Sequence, residues 1–166
     1  MNRSQFLIAG SLATMGLVTT SRASKAMTET TQEKKKFDKG PPLTDEQVRE
    51  FVGAAHADLP RVEAMLKEQP KLVNAVWDWG GGDFESALGG AAHMGRRDIA
   101  LVLLASGARI DVFAAAMLGE LEIVKSALTA FPDALKTPGP HGIPLIAHAK
   151  MGGEKAEPVL KYLESL

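Results

Sequence analysis

The residues best suited to chemistry lie in one ten-residue stretch, WDWGGGDFES, at positions 77–86. It holds both tryptophans of the chain and three carboxylates: Asp78, Asp83 and Glu85. Carboxylates act as general acids or bases beside a histidine, and indole rings offer a flat apolar surface with one donor. One hypothesis is therefore a small-molecule site or hydrolase, in which these acids act with His93 or His141 while Trp77 and Trp79 hold a sugar-like ligand.

The histidines suggest a second kind of chemistry, because imidazole is a common metal ligand. The chain has four: His56, His93, His141 and His148. A metal site would combine them with Asp78 or Asp83, but no H-E-x-x-H or comparable spacing occurs, so we predict no metal and no cofactor. We expect His148 to be hydrogen-bonded and half-buried. His141, in GPHGIP, is expected to be exposed at a loop tip, where a functional role suits it best.

Composition excludes several classes of function. The 166-residue chain has a net charge of −1, whereas nucleic-acid binders normally carry a basic excess. It has no cysteine, which excludes disulfides, a cysteine–zinc site and a thiol nucleophile. Hydrophobic residues make up 45% but aromatic residues only 5%, which favours closely packed helices. With no recognised catalytic motif, the chain is not predicted to be an enzyme.

The N-terminal region differs from the rest. Residues 1–26 combine Arg3 with an apolar run and small residues, which predicts an export signal peptide. NRSQFL resembles the bacterial twin-arginine signal with Ser4 in place of the second arginine, so general secretion is the alternative route. A retained membrane anchor is a further alternative. Residues 27–42 predict a flexible polar linker. We therefore expect an exported protein, periplasmic or secreted, with no stable membrane insertion once the signal is removed.

The remaining sequence, 43–166, contains an internal repeat. Its members begin GAAHADLPRVEAML (53–66), GGAAHMGRRDIALVLL (89–104), AAAMLGELEIVKSAL (114–128) and PLIAHAKMGG (144–153). Each predicts a short alanine-rich helix, a turn at Gly or Asp, and a longer amphipathic helix. We place four units at about 45–76, 77–111, 112–137 and 138–166. Residues 77–86 then connect the first two units and end at a helix cap, Ser86, and Asp111 caps the first helix of the third unit.

These units resemble the ankyrin repeat. GELEIVKSAL (119–128) and SALGGAAHMGRRDIALVLLASGARID (86–111) follow its consensus, and HGIPLIAHAKMGG (141–153) follows the start of a final copy. The resemblance implies an all-α solenoid of about four helix-turn-helix units with irregular hairpin loops. It also implies a monomer that binds another protein through its concave face and the long first hairpin.

The resemblance places the partner-binding residues at the hairpin and at the exposed positions of each first helix. On the hairpin they are Trp77, Asp78, Trp79 and Asp83. On the units they are His56, His93, Met94, Met117, Leu118, His141, Lys150 and Met151. The methionines and Leu118 would form an apolar stripe suited to recognition. In the alternative interpretation, Met94, Met117 and Leu118 pack between units as ordinary core.

Overall fold

The computed structural model describes residues 40–166, and the predicted signal peptide and linker residues 27–39 lie outside that range. The described part contains eight α-helices and one two-stranded sheet. The predicted helical character is therefore confirmed, with a small β-hairpin added. No helix within residues 40–166 is long and apolar enough to cross a membrane.

The helices follow one another in four pairs. The first two pairs are α1 (Asp45–Ala54) with α2 (Leu59–Glu68), and α3 (Ala87–His93) with α4 (Arg97–Ala105). The last two pairs are α5 (Val112–Leu118) with α6 (Leu121–Ala130), and α7 (Leu145–Met151) with α8 (Glu157–Glu164). The sheet joins β1 (Val76–Asp78) to β2 (Phe84–Ser86), between the first and second pairs. Short 3-10 helices occupy Pro70–Asn74, Pro132–Leu135, Pro140–Gly142 and Gly153–Ala156.

Local side-chain hydrogen bonds explain where several helices begin. Thr44 and Gln47 form a capping box at α1, and the Asp58 side chain accepts a hydrogen bond at the start of α2. The Ser86 hydroxyl accepts from the Gly89 N–H at 3.0 Å, and the Asp111 carboxylate accepts from the Ala114 N–H at 2.7 Å. The two caps predicted from sequence are therefore confirmed.

Glycine is required where the turn of one pair meets the next. Gly119 ends α5 with φ 78°, a left-handed conformation that costs glycine little. A Cβ atom at this position would collide with the backbone carbonyl of Lys155. Gly95 has φ 67° and lies in the same way against the carbonyl of Met151. Gly119 permits close approach of the third pair to the fourth, and Gly95 permits close approach of the second pair to α7 of the fourth.

The first helices pack in succession, α1 on α3, α3 on α5 and α5 on α7, and α2 packs on α4 and α6 on α8. Their buried faces form two apolar clusters. Met117 belongs to the first cluster with 0% of its surface exposed, and Leu118 is 4% exposed. The expectation that these two residues lie on an exposed stripe is corrected, since the packing of α5 encloses them.

Candidate functional site

The hairpin places its acids in different environments. In the antiparallel register Trp77 pairs with Glu85, so these side chains share the face that is turned toward the helices. The Asp78 side chain instead closes the turn, accepting from the N–H groups of Gly80 at 2.9 Å and Gly82 at 3.1 Å. Gly80, Gly81 and Gly82 all have positive φ, which explains the glycine run. Asp78 therefore shapes the loop and contributes no group to the cluster described below.

Glu85 is the centre of a polar cluster. Its side chain is buried, and the residue is only 1% exposed. Trp79 Nε1 donates to Glu85 Oε2 at 2.7 Å. Two imidazole nitrogens face the same oxygen, His56 Nε2 at 3.3 Å and His141 Nε2 at 3.4 Å. We call the set formed by His56, Glu85, His93 and His141 the histidine–glutamate cluster.

The second oxygen of Glu85 is less well satisfied. His93 Nδ1 lies 3.0 Å from Oε1, yet Oε1 is buried and has no hydrogen bond of adequate geometry. A buried carboxylate oxygen without a well-aligned donor is unfavourable, because it loses water without full replacement. A positive charge or a hydrogen-bond donor placed beside Glu85 Oε1 would therefore stabilise the cluster.

The surroundings of Glu85 act on its pKa in opposite directions. Burial is the largest influence and raises the pKa of the carboxyl group. The contacts from His56, His93 and Trp79 together outweigh burial and hold the pKa below its ordinary value. Glu85 is accordingly an ionised carboxylate, enclosed by nitrogen-bearing side chains.

His56 lies in the turn after α1, where its ring is held from both sides. Its Nδ1 donates to the carbonyl oxygens of Val52 at 3.0 Å and Gly53 at 3.2 Å, which leaves Nε2 directed at Glu85. The contact with Glu85 is the largest influence on the pKa of His56 and raises it above 6.5, against an opposing effect of burial. Gly90 makes room for the ring, since a Cβ there would lie 2.9 Å from its Cε1 atom.

His141 is positioned by Asp83, 58 residues earlier in the chain. Asp83 accepts from the His141 backbone N–H at 2.8 Å, and its other oxygen lies 2.6 Å from Nδ1 of the same residue. The backbone N–H is the largest cause of the lowered pKa of Asp83. His141 has φ 59°, an unusual conformation for a residue other than glycine, within the loop that precedes α7. Asp83 thus fixes both the backbone and the ring of His141.

The three histidine rings form a compact group. The centroid of the His93 ring lies 4.9 Å from that of His56 and 5.3 Å from that of His141. One ligating atom from each cluster residue lies within 4.8 Å of the others, a spacing that suits a single metal ion. The side chains of His56 and His141 are 23% and 32% exposed, so small solutes reach the cluster from solvent.

The structure brings five of the sequence-predicted site residues together: His56, His93, His141, Trp79 and Asp83. Trp77 is partly buried on the inner face of the hairpin. Met94, Lys150 and Met151 are exposed. Met117 and Leu118 are in the core. His148 is fully buried, beyond the half-burial predicted for it, and its Nδ1 donates to the carbonyl of Pro144 at 3.1 Å.

Sequence reasoning did not place Glu85 among the expected binding residues, although it is the central residue of the cluster. The available signal was strand alternation. Glu85 lies one residue before the helix cap Ser86 and one residue after Phe84, so alternation places Glu85 and the apolar Phe84 on opposite faces of the strand. In a short hairpin that packs one face on helices, a charged residue beside a cap can point inward. Only the cross-strand pairing with Trp77 decides that it does.

Comparison with protein-family models found no matching family, and searches of curated proteins and of solved structures found no match either.

Proposed function

We propose that this protein binds a small polar ligand at the histidine–glutamate cluster, with Trp79 beside it. The observation that carries this proposal is the burial of Glu85 amid three imidazole rings, with one carboxylate oxygen lacking a well-aligned donor. A ligand that supplies positive charge or donors would meet that requirement. Clusters of perturbed titratable groups occur preferentially at functional sites.

A purely structural role accounts less well for the cluster. Burying a carboxylate costs several kcal/mol of desolvation, and ion pairs in such settings often add little net stability. The apolar clusters already join the helices on both sides of the hairpin. Three histidines are also more than a single carboxylate needs for charge balance. The arrangement therefore favours a binding role.

If the bound ligand is a substrate, the same site could act on it by general acid–base catalysis. Asp83 and His141 form a carboxylate–imidazole pair at 2.6 Å, an arrangement that orients the imidazole and stabilises its protonated form. Nε2 of His141 faces Glu85, so a substrate would meet this imidazole within the cluster, beside Trp79. A hydrolase working here would use His141 for proton transfer and Trp79 as a contact surface.

The fluorescence of Trp79 provides the test. The chain has two tryptophans, so the Trp77→Phe variant has Trp79 as its single tryptophan. The full chain carrying Trp77→Phe is titrated with simple sugars, organic acids and inorganic ions while its fluorescence is followed. We expect at least one class to give a saturable change that is lost when Glu85→Gln is added. A Trp79 signal that responds to no class, or that responds equally without Glu85, would contradict the proposal.

Recognition of another protein by an exported ankyrin-like module is the second candidate function. The order of four helix pairs, with successive first helices in contact and glycines at two turns, supports the ankyrin-like interpretation. Met94 and Met151, at the ends of α3 and α7, are 45% and 48% exposed. Gly95 lies directly against Met151, so the exposed methionines are near one another. Adaptable side chains of this kind suit a partner surface.

This second candidate is tested by comparing two variants in affinity capture from the native extract. Met94→Ala with Met151→Ala should remove a captured protein that the wild-type chain retains. Leu101→Ala is the control, since Leu101 is similarly exposed, at 50%, but lies within α4 and not at the end of a first helix. Equal capture by all three proteins would remove the two methionines from any partner surface.

A further inference from the structure

We infer that the histidine–glutamate cluster is a binding site for a divalent transition-metal ion of the zinc type. The ligands are His56, Glu85, His93 and His141. This inference rests on the proposed function, because it names the ligand of the same cluster. It is carried by the directions in which the ring nitrogens point and by the spacing of the four side chains.

The first argument concerns His56. Backbone carbonyl oxygens only accept hydrogen bonds, so the contacts of Nδ1 with Val52 and Gly53 place a proton on that nitrogen. In the neutral ring, Nε2 then carries the lone pair, and it faces Glu85 Oε2. Metal-binding histidines commonly donate their other N–H to a carbonyl or carboxylate, which fixes the tautomer and the ring orientation.

His141 repeats this arrangement with a different acceptor. The Asp83 carboxylate accepts from Nδ1, so in the neutral ring the lone pair again lies on Nε2. That nitrogen also faces Glu85 Oε2, at 3.4 Å. Two lone pairs directed at one carboxylate oxygen repel it unless a proton on each nitrogen or a shared cation lies between them. Asp83 is accordingly a positioning residue that acts through His141.

The distances agree with one shared ion. Zinc–nitrogen bonds of about 2.0–2.1 Å in a tetrahedron place neighbouring ligand atoms roughly 3.3 Å apart. The nitrogens of His56 and His141 lie 3.3 and 3.4 Å from Glu85 Oε2, and His93 Nδ1 lies 3.0 Å from Oε1. The widest separation among the four ligating atoms is within 4.8 Å.

The second, independent observation is the carboxylate itself. Glu85 is 99% buried, with its Oε1 atom lacking a hydrogen bond and directed into the cluster. A metal ion would supply the positive charge that this buried group needs.

The donor set decides the class of metal. Three imidazole nitrogens and one carboxylate suit zinc, copper, nickel or iron, whereas calcium and magnesium prefer oxygen ligands. Soft thiolate ligands do not contribute, because the chain has no cysteine. The ligands come from the turn after α1, from β2, from the end of α3 and from the loop before α7. An ion bound here would therefore tie together three of the four helix pairs.

The test is calorimetric titration of the untagged full chain with zinc chloride after treatment with a chelator. We expect one ion per chain. Glu85→Gln and His93→Gln should each weaken binding by more than the roughly 10–100-fold typical of outer partners, and Asp83→Asn by about that amount. The matched control is His148→Gln, which removes the one histidine outside the cluster and should leave the affinity unchanged.

Circular dichroism verifies that each variant is folded. If Glu85→Gln fails to fold, His141→Gln decides the question, because the His141 ring lies at the surface of a loop. Zinc binding that persists at wild-type affinity in the cluster variants would overturn the inference. If zinc does not bind while an organic ligand changes Trp79 fluorescence, the metal inference fails and the small-ligand proposal stands. If neither binds, both fail.

Discussion

At the scale of single residues, four histidines adopt two distinct roles that depend on their surroundings. Three face carboxylates and meet around Glu85. His148 instead lies beside the Phe113 ring, 4.9 Å between centroids, and donates to a backbone carbonyl. The same imidazole thus faces a carboxylate in one place and packs in the core in the other.

The pH dependence of the free energy of unfolding should show that the His148 imidazole is uncharged in the folded protein. Burial is the main cause that lowers the pKa of His148 below 6.5. Below pH 6.5, His148 therefore takes up a proton in the unfolded chain before it does so in the folded chain. The free energy of unfolding decreases as the pH falls from 6.5 toward the pKa of His148 in the folded chain. His148→Gln should show a shallower decline between pH 6.5 and about pH 5 in urea unfolding.

The comparison of His148→Gln with wild type isolates this one group. The pKa of His56 is raised and that of Glu85 is lowered, but both residues are present in each protein, so their effects cancel in the difference. The measurements are made with a chelator present, so that bound metal does not contribute. Parallel pH profiles for the two proteins would show that His148 is not held neutral.

At the scale of elements, the site depends on how α3 meets the turn after α1. Gly90 is inside α3, where alanine would normally be the better helix former by about 1 kcal/mol. Glycine is needed there because the His56 ring occupies the space of a Cβ atom. Local helix propensity therefore conflicts with the placement of His56.

Gly89 and Gly90 are adjacent in α3, so substitutions at these two positions test whether a glycine is needed beside His56. Gly90→Ala should displace the His56 ring and weaken zinc binding by about 10-fold or more, while changing thermal stability little. Gly89→Ala is the matched control, because its Cβ would make only ordinary contacts, 3.4 Å from Ser86 Oγ and 3.5 Å from Glu85 Cγ. Equal zinc affinities of the two variants, measured by calorimetry, would contradict the assigned role of Gly90.

The cap of α5 gives a second prediction at this scale. Asp111→Ala removes the hydrogen bond to the Ala114 N–H, so the free energy of unfolding should fall by about 1 kcal/mol. Asp133→Ala, at a fully solvated side chain, should change it by less than about 0.5 kcal/mol. Urea denaturation of both variants measures the difference. A cost as small for Asp111 as for Asp133 would refute the cap.

At the scale of the whole molecule, packing decides which apolar residues are surface. Met117→Ala should reduce the free energy of unfolding by about 2–5 kcal/mol, since Met117 is fully buried. Met94→Ala should change it by about 0.5 kcal/mol or less, because Met94 is nearly half exposed. Denaturant unfolding tests both. Similar costs would mean that the two methionines have similar environments, against the structure.

The sequence by itself determined the features that depend on residues a few positions apart. Helical periodicity, the caps at Ser86 and Asp111 and the turn glycines follow from local hydrogen bonding and backbone preference. The resemblance to the ankyrin repeat and the export signal remain predictions. The exposed position of His141 could also be predicted from the sequence, because His141 lies between glycine and proline residues.

Only the tertiary structure decided what meets at the site. His56, Glu85, His93 and His141 come from four separate segments, so no local spacing indicates their convergence. Whether Glu85 points inward depends on cross-strand pairing, and whether Met117 is buried depends on the helices packed around α5. The physical reason is the same in each case. Periodicity sets which residues share a face, but only the neighbouring elements determine whether that face meets solvent, core or another charged side chain.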